Sequence, residues 1–247
     1  MSVYQTLITA ANTKGAGYLV LIDPDKVDGS NFPKFIEQAT DAGVDGFLVG
    51  GSLVLADTFE ECIKTIKKNT NVPVVIFPGS VQQISKEADA ILYLSLLSGR
   101  NAEHIIGSQV TAAPIIKKMN LEAISTAYML VESGRTTSAE FMSNTKPLPR
   151  NKPDIAVAHA LAAEYIGFKF LYLEAGSGAE QAVPDEMIAA VSKYCSVPLI
   201  VGGGIRTAEE AHRKVKSGAK FIVTGNVLER PGSQDLIKQF VSAIHVR

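Results

Sequence analysis

Apolar positions along this chain fall into two alternating kinds of segment. The first kind is a short, nearly unbroken apolar run: Tyr18–Ile22, Gly46–Val49, Val72–Phe77, Ala90–Leu94, Ala123–Ala127, Phe170–Glu174, Pro198–Val201 and Lys220–Thr224. Such runs are too short for helices and lack a polar face, which predicts parallel strands buried on both sides. The second kind has helical spacing: Asn31–Ala42, Thr58–Lys68, Glu103–Met119, Pro153–Ile166, Pro184–Tyr194 and Asp235–Ile244, with a further helix opening at Thr207. In Pro153–Ile166, Ala158, Leu161, Ala162 and Tyr165 share one helical face, Pro153 stands in the first turn and Gly167 follows the end. Thr207-Ala208-Glu209-Glu210 has the spacing of a capping box. Val3–Asn12 precedes the first strand as an amphipathic helix placed to cover one end of the sheet.

Eight strands alternate with helices at every step but one, with right-handed crossovers, which predicts an α/β fold: a single (β/α)8 TIM barrel over residues 1–247. One step departs from the pattern. Only Pro78–Asp89 separates strands three and four, too little for an ordinary crossover helix, so a reduced or irregular connection is expected there. It leaves that flank of the barrel more open. A second departure is Tyr128–Lys152, long and rich in Gly, Pro and polar residues, which reads as a lid or side wall of the site.

Composition narrows the function. The 247 residues match one barrel, and 46% hydrophobic content supplies a large core. A net charge of -1 gives no electrostatic basis for nucleic-acid binding. Cys62 and Cys195 are far apart and suggest neither a disulfide framework nor a metal knuckle, in keeping with a cytoplasmic protein. No signal peptide and no membrane-spanning run is expected.

In such barrels the chemistry sits where strands end and loops begin. Three neighbouring strand ends are rich in small residues: Glu174-Ala175-Gly176-Ser177-Gly178-Ala179, Gly202-Gly203-Gly204 and Gly225-Asn226. Together they present backbone N–H groups unobstructed by side chains, which suits a phosphate; the alternative is a set of tight turns. Strand one ends in Asp23-Pro24-Asp25, where Asp23 is either a Mg²⁺ ligand or the cap of the next turn. Ser52 places a hydroxyl on the same rim after strand two. Glu174 beside an anion cup is costly unless it holds or deprotonates a hydroxyl, or pairs with a nearby cation. Tyr172 points to the same side of its strand. None of the four histidines, His104, His159, His212 and His245, stands at a strand end, which argues against histidine acid/base chemistry. Arg100-Asn101, before the fourth crossover helix, meets an anion or stays on the surface.

Several of these segments are similar to those of one family. Leu21–Lys26, Val49–Ser52, Ser98–Asn101, Lys146–Pro153, Tyr172–Ala179, Val201–Arg206 and Thr224–Asn226 together resemble geranylgeranylglyceryl phosphate synthase, from strand one to strand eight. The Glu-Ala-Gly-Ser-Gly segment is specific; Gly-Gly-Gly-Ile-Arg is shared by many phosphate-binding barrels. Asp-Pro-Asp-Lys and Ser-Gly-Arg-Asn resemble the family's second subgroup, which has bacterial members. The resemblance implies a prenyltransferase that joins sn-glycerol 1-phosphate to C1 of a polyprenyl diphosphate with Mg²⁺, releasing diphosphate. It implies that Asp23 and Ser52 bind Mg²⁺, with Asp23 and Glu174 catalytic and Glu174 holding the attacking hydroxyl. Tyr172, Leu173, Glu174, Ala175, Gly176, Ser177, Gly178, Gly203, Gly204, Gly225 and Asn226 take the place of the glycerol phosphate site. It also implies a homo-oligomer that touches membrane lipid only peripherally.

The prenyl tail needs an apolar trough, for which the shortened step is the expected opening, with Tyr93, Leu96 and Leu97 as candidates for its floor. The favoured donor is geranylgeranyl diphosphate. The alternatives are a longer heptaprenyl donor, a sugar-phosphate isomerase or epimerase on the same fold, and a phospholigand-binding protein without turnover.

Overall fold

The computed structural model describes residues 1–27, 29–55, 57–228 and 234–246. Eight parallel strands close into a barrel in sequence order: β1 Gly17–Ile22, β2 Gly46–Val49, β3 Val74–Ile76, β4 Ala90–Leu96, β5 Glu122–Leu130, β6 Phe170–Glu174, β7 Leu199–Gly202 and β8 Phe221–Thr224. The helices are α1 Val3–Lys14, α2 Phe32–Ala42, α3 Phe59–Lys68, α4 Ser108–Met119, α5 Ser138–Ser143, α6 Pro153–Ile166, α7 Asp185–Tyr194, α8 Ala208–Lys216 and α9 Gln234–Ile244.

The apolar strand runs bury both faces, as their lack of a polar side requires. Outward residues such as Val20, Phe47, Leu171 and Ile222 pack under the helices, and inward ones such as Leu19, Leu48, Leu92 and Phe221 fill the barrel. Ile36 of α2 and Ile63 of α3 are fully buried in the outer layer, each worth about 1.5–3 kcal/mol of transfer free energy. Leu7 and Ala11 of α1 close the bottom and join the inner layer.

The β3–β4 connection contains no helix. Its anchor is Gln83, 4% exposed. The amide donates to Gly51 O at 2.9 Å and accepts from the N–H groups of Gly79 at 3.1 Å and Gly51 at 3.3 Å. One side chain thus ties the β3–β4 connection to the loop after β2.

Strand five corrects the expectation that it ends near Ala127. The apolar run continues through Met129 and Leu130, and Leu130 pairs with Glu174 of β6. The following segment is a wall. Val131 bridges Leu148 in parallel, Leu148 N–H donates to Leu130 O at 2.7 Å, and α5 lies between them. The segment expected as one helix from Glu103 opens instead as a π-helical turn, Glu103–Gly107. Its carbonyls are taken by side chains: Ser95 donates to Ile105 O at 3.0 Å, and Gln109 to His104 O at 2.9 Å.

The capping box at α8 is half formed. Thr207 Oγ1 accepts from Glu210 N–H at 3.2 Å, but the Glu210 carboxylate accepts from Arg206 N–H, one residue earlier than the box requires. Both cysteines are free and buried, and burial pushes the Cys62 thiol up to about 12. No helix among the described residues is long and apolar enough to cross a membrane.

Candidate active site

Register around the closed barrel places the glycine-rich strand ends side by side. Glu174 pairs with Gly202, Gly202 with Val223, and Thr224 with Val20. The order β6, β7, β8, β1, β2 then brings the cup directly against the acidic end of β1. A Cβ added to Gly225 would stand 3.2 Å from Leu21 O, two residues before Asp23. The two halves of the site therefore adjoin.

Gly203 has φ +80°, and a Cβ there would meet Glu174 Oε1 at 2.3 Å and Gly176 N at 2.5 Å. Only glycine fits, because the β7 loop packs directly on the β6 loop. The backbone N–H groups of Gly178, Gly203 and Gly204 have no hydrogen-bond partner among the described residues. Unpaired donors on two facing loops make a cup suited to an anion. The side chain of Asn226 lies outside the described residues.

Glu174 is 5% exposed, and its Oε1 accepts from Gly176 N–H at 2.6 Å. No cation pairs with it among the described residues, so a salt bridge does not account for its presence. Burial raises its pKa to about 7, although the Gly176 N–H opposes that rise. The Tyr172 hydroxyl stands beside the carboxylate without completing a hydrogen bond, and it is a buried polar atom with no partner. Burial first, then the Glu174 charge, push the Tyr172 hydroxyl well above its ordinary range, so it stays protonated as a donor. Beneath the pair, Tyr172 stacks on Phe77 at 5.2 Å and meets Tyr128 edge-on at 5.3 Å. This aromatic floor shields the carboxylate from below.

Leu173 and Ala175 turn their side chains into the outer core, so only their backbone runs past the cup. The wall after β5 reaches the same loop: Thr137 packs on Gly176, and Gln181 N–H donates to Ser133 O at 3.2 Å. Arg100 is exposed with φ +55°, and Asn101 donates to Ser143 O at 3.0 Å, tying its loop to the end of α5.

Asp23 caps the short 3-10 turn Pro24–Lys26. Its Oδ1 accepts from Asp25 N–H at 3.2 Å, and Oδ2 pairs with Lys26 Nζ at 3.2 Å. Capping and metal binding are compatible, since a carboxylate has lone pairs to spare. Gly51 approaches closely: a Cβ on it would lie 3.4 Å from Asp23 Oδ1, and Ser52 follows in the same turn. Asp25 Oδ2 accepts from Leu55 N–H at 2.8 Å and holds that loop over the corner. No cluster of three or more His, Cys, Asp or Glu suited to a metal occurs among the described residues. One carboxylate and one hydroxyl fit Mg²⁺, which keeps waters and takes phosphate oxygens from a substrate, better than Zn²⁺.

The histidines lie elsewhere. His159 and His212 bond main-chain carbonyls of Ile155 and Ala243, and His245 meets Asp45 at 2.9 Å. Sequence reasoning missed Gln83, Tyr128 and the cations behind the cup. For Tyr128 a signal existed in the unbroken apolar run; for Gln83 none did.

Known proteins resemble this chain over nearly its whole length. The pattern of the PcrB family matches residues 10–244. A geranylgeranylglyceryl phosphate synthase of Chitinophaga pinensis is 44% identical over 243 residues, covering 98% of this chain and 96% of its own. One of Pyrococcus furiosus is 48% identical, covering 87% and 86%. The crystal structure of (S)-3-O-geranylgeranylglyceryl phosphate synthase from Thermoplasma acidophilum, in complex with sn-glycerol-1-phosphate, superposes with a TM-score of 0.93 at 35% identity, covering 99% of each chain.

Proposed function

This chain belongs to the PcrB family, and on that premise we propose that it is a prenyltransferase of the geranylgeranylglyceryl phosphate synthase type. It joins a hydroxyl of sn-glycerol 1-phosphate to C1 of geranylgeranyl diphosphate, forming an ether and releasing diphosphate. The observation that carries this reading is the cup of unpaired N–H groups with a buried carboxyl that no cation neutralises at its edge, adjoining a carboxylate-and-hydroxyl corner.

The cup holds the acceptor's phosphate. Glu174, poised near pH 7, accepts a hydrogen bond from the acceptor hydroxyl, and Tyr172 donates to the same group. As the hydroxyl oxygen bonds to C1, the bond from C1 to the diphosphate oxygen breaks and its electron pair leaves with the diphosphate. The hydroxyl proton passes to Glu174. Much of the rate comes from holding the two reactants in line. Asp23 and Ser52 would hold Mg²⁺, which would supply charge neutralisation for the departing diphosphate. The prenyl tail runs along the flank left without a helix at residues 77–89, beside the half-buried Tyr93 of β4. A cytoplasmic homo-oligomer that meets the membrane only to collect its donor goes with this reading.

Incubating the protein with labelled sn-glycerol 1-phosphate, geranylgeranyl diphosphate and Mg²⁺ tests it. The expected product is a butanol-extractable prenyl ether, its yield dependent on Mg²⁺ and cut by orders of magnitude in Asp23→Asn. No extractable product with donors of any length would refute it.

A further inference from the structure

The β6–α7 loop carries the inner wall of the cup and then returns outward as residues 178–183. Its carbonyls on that return face cations. Arg206 Nη1 donates to Glu180 O at 2.9 Å and Nη2 to Ala179 O at 2.5 Å. Arg150 Nη1 donates to Ala182 O at 2.6 Å. Lys214, 4% exposed, donates to Val183 O at 2.7 Å and pairs with Asp185 at 2.6 Å. Arg135 reaches Gly178 O. These cations come from three separate places: the wall after β5, the β7 loop and α8.

Arg206 differs from the others in where it starts. It lies two residues beyond Gly204, so its guanidinium joins the β7 loop to the β6 loop. Those loops are the two walls of the cup. The inner wall is hung on the clasped return by a single turn, Ala179 N–H to Gly176 O at 3.1 Å. On the other side, a Cβ added to Gly204 would stand 2.9 Å from Ala182 N, so the β7 wall rests on the clasped return too. The spacing between Gly178 and Gly203-Gly204 is therefore set through the atoms that Arg206 and Arg150 hold.

We propose that Arg206, with Arg150 and Lys214 behind it, is a positioning residue that fixes the spacing of the two N–H walls around the acceptor's phosphate. This rests on the acceptor-site reading above. Two parallel charge-assisted bonds give the guanidinium fork a fixed geometry that a single ammonium cannot reproduce. Hydrogen bonds to phosphate weaken steeply when donors are displaced, so a loosened wall costs affinity for the acceptor and not for the donor.

Calorimetric titration of the full chain with sn-glycerol 1-phosphate, without prenyl donor, tests this in Arg206→Gln, Arg206→Lys and Arg150→Gln. Arg206→Gln is expected to weaken binding by about tenfold or more, the loss of roughly one charge-assisted bond's worth of affinity. Arg206→Lys is expected to recover part of that loss, and KM for the prenyl diphosphate to stay unchanged. Arg150→Gln is expected to show a smaller loss in the same direction. Affinity within about twofold of wild type in both folded Gln variants would overturn the proposal. So would an equal rise in KM for the donor, or unfolding of both Gln variants, since either makes the cations general supports of the fold. If wild type itself fails to bind glycerol phosphate, the acceptor-site reading falls and the clasp falls with it.

Discussion

Glu174 sits where a carboxylate is costly, and the cost is visible in its chemistry. Burial without a cation raises its pKa to about 7, so the folded protein retains a proton that the unfolded chain releases near the ordinary carboxylate value. The sign follows directly. The stabilising difference is complete below the unfolded pKa and is lost as pH rises through about 7. Glu174→Gln, which mimics the protonated form, is therefore expected to melt above wild type at pH 8. The gap should be on the order of 3 kcal/mol at most and close by about pH 4.5; thermal melts across that range check it. The same substitution removes the proton acceptor, so turnover should fall by about two to three orders of magnitude. In wild type, kcat/KM for glycerol phosphate is expected to fall about tenfold per pH unit below about 7. That limb lies above the substrate phosphate's own second pKa of about 6 and should vanish in the variant. Stability gained where activity is lost is the pattern expected of a group kept for its chemistry.

Loops between elements carry most of what this molecule does, and they differ in how openly the sequence announces them. Gly202-Gly203-Gly204 and Glu174–Gly178 were readable as either an anion site or a set of tight turns, because glycine at neighbouring strand ends serves both. The acidic turn at Asp23 was readable as a choice between cap and metal ligand, and the geometry shows the cap formed with oxygen lone pairs remaining. The β3–β4 connection was legible as a gap in the helix pattern, but its anchor was not. Gln83 is a lone polar residue in an irregular stretch, and its partners Gly51 and Gly79 are identifiable only once the chain is folded. Gln83→Ala removes the shared acceptor of the part-buried N–H groups of Gly51 and Gly79, so a loss of about 1 kcal/mol is expected by urea denaturation. Because Gly51 leads into Ser52, the proposed Mg²⁺ site predicts that the variant also needs more Mg²⁺ for half-maximal rate. The clasp of Arg206, Arg150 and Lys214 was hidden for a related reason: cations that bond main-chain carbonyls leave no sequence spacing to detect.

Across the whole barrel, chemistry and stability occupy opposite ends. At the bottom, buried Asp45 accepts from Tyr18 N–H at 2.8 Å, Lys14 at 2.6 Å and His245 at 2.9 Å, joining α1, β1 and the segment after α9. Asp45→Ala should cost about 3 kcal/mol in denaturant titration while kcat, measured well below the melting temperature, stays near wild type. The strand count and the closed order followed from the alternation of apolar runs and amphipathic segments. What the pattern could not supply was the adjacency of the cup and the acidic corner, which comes from closure of β8 onto β1. That adjacency underlies the central claim, attack of the acceptor's hydroxyl on C1 of the prenyl group. The most direct test uses sn-glycerol 1-phosphate carrying a heavy oxygen isotope in the reacting hydroxyl, with mass analysis of both products. The label is expected in the prenyl ether and not in the released diphosphate. Label in the diphosphate, or no ether formed at all, would contradict it.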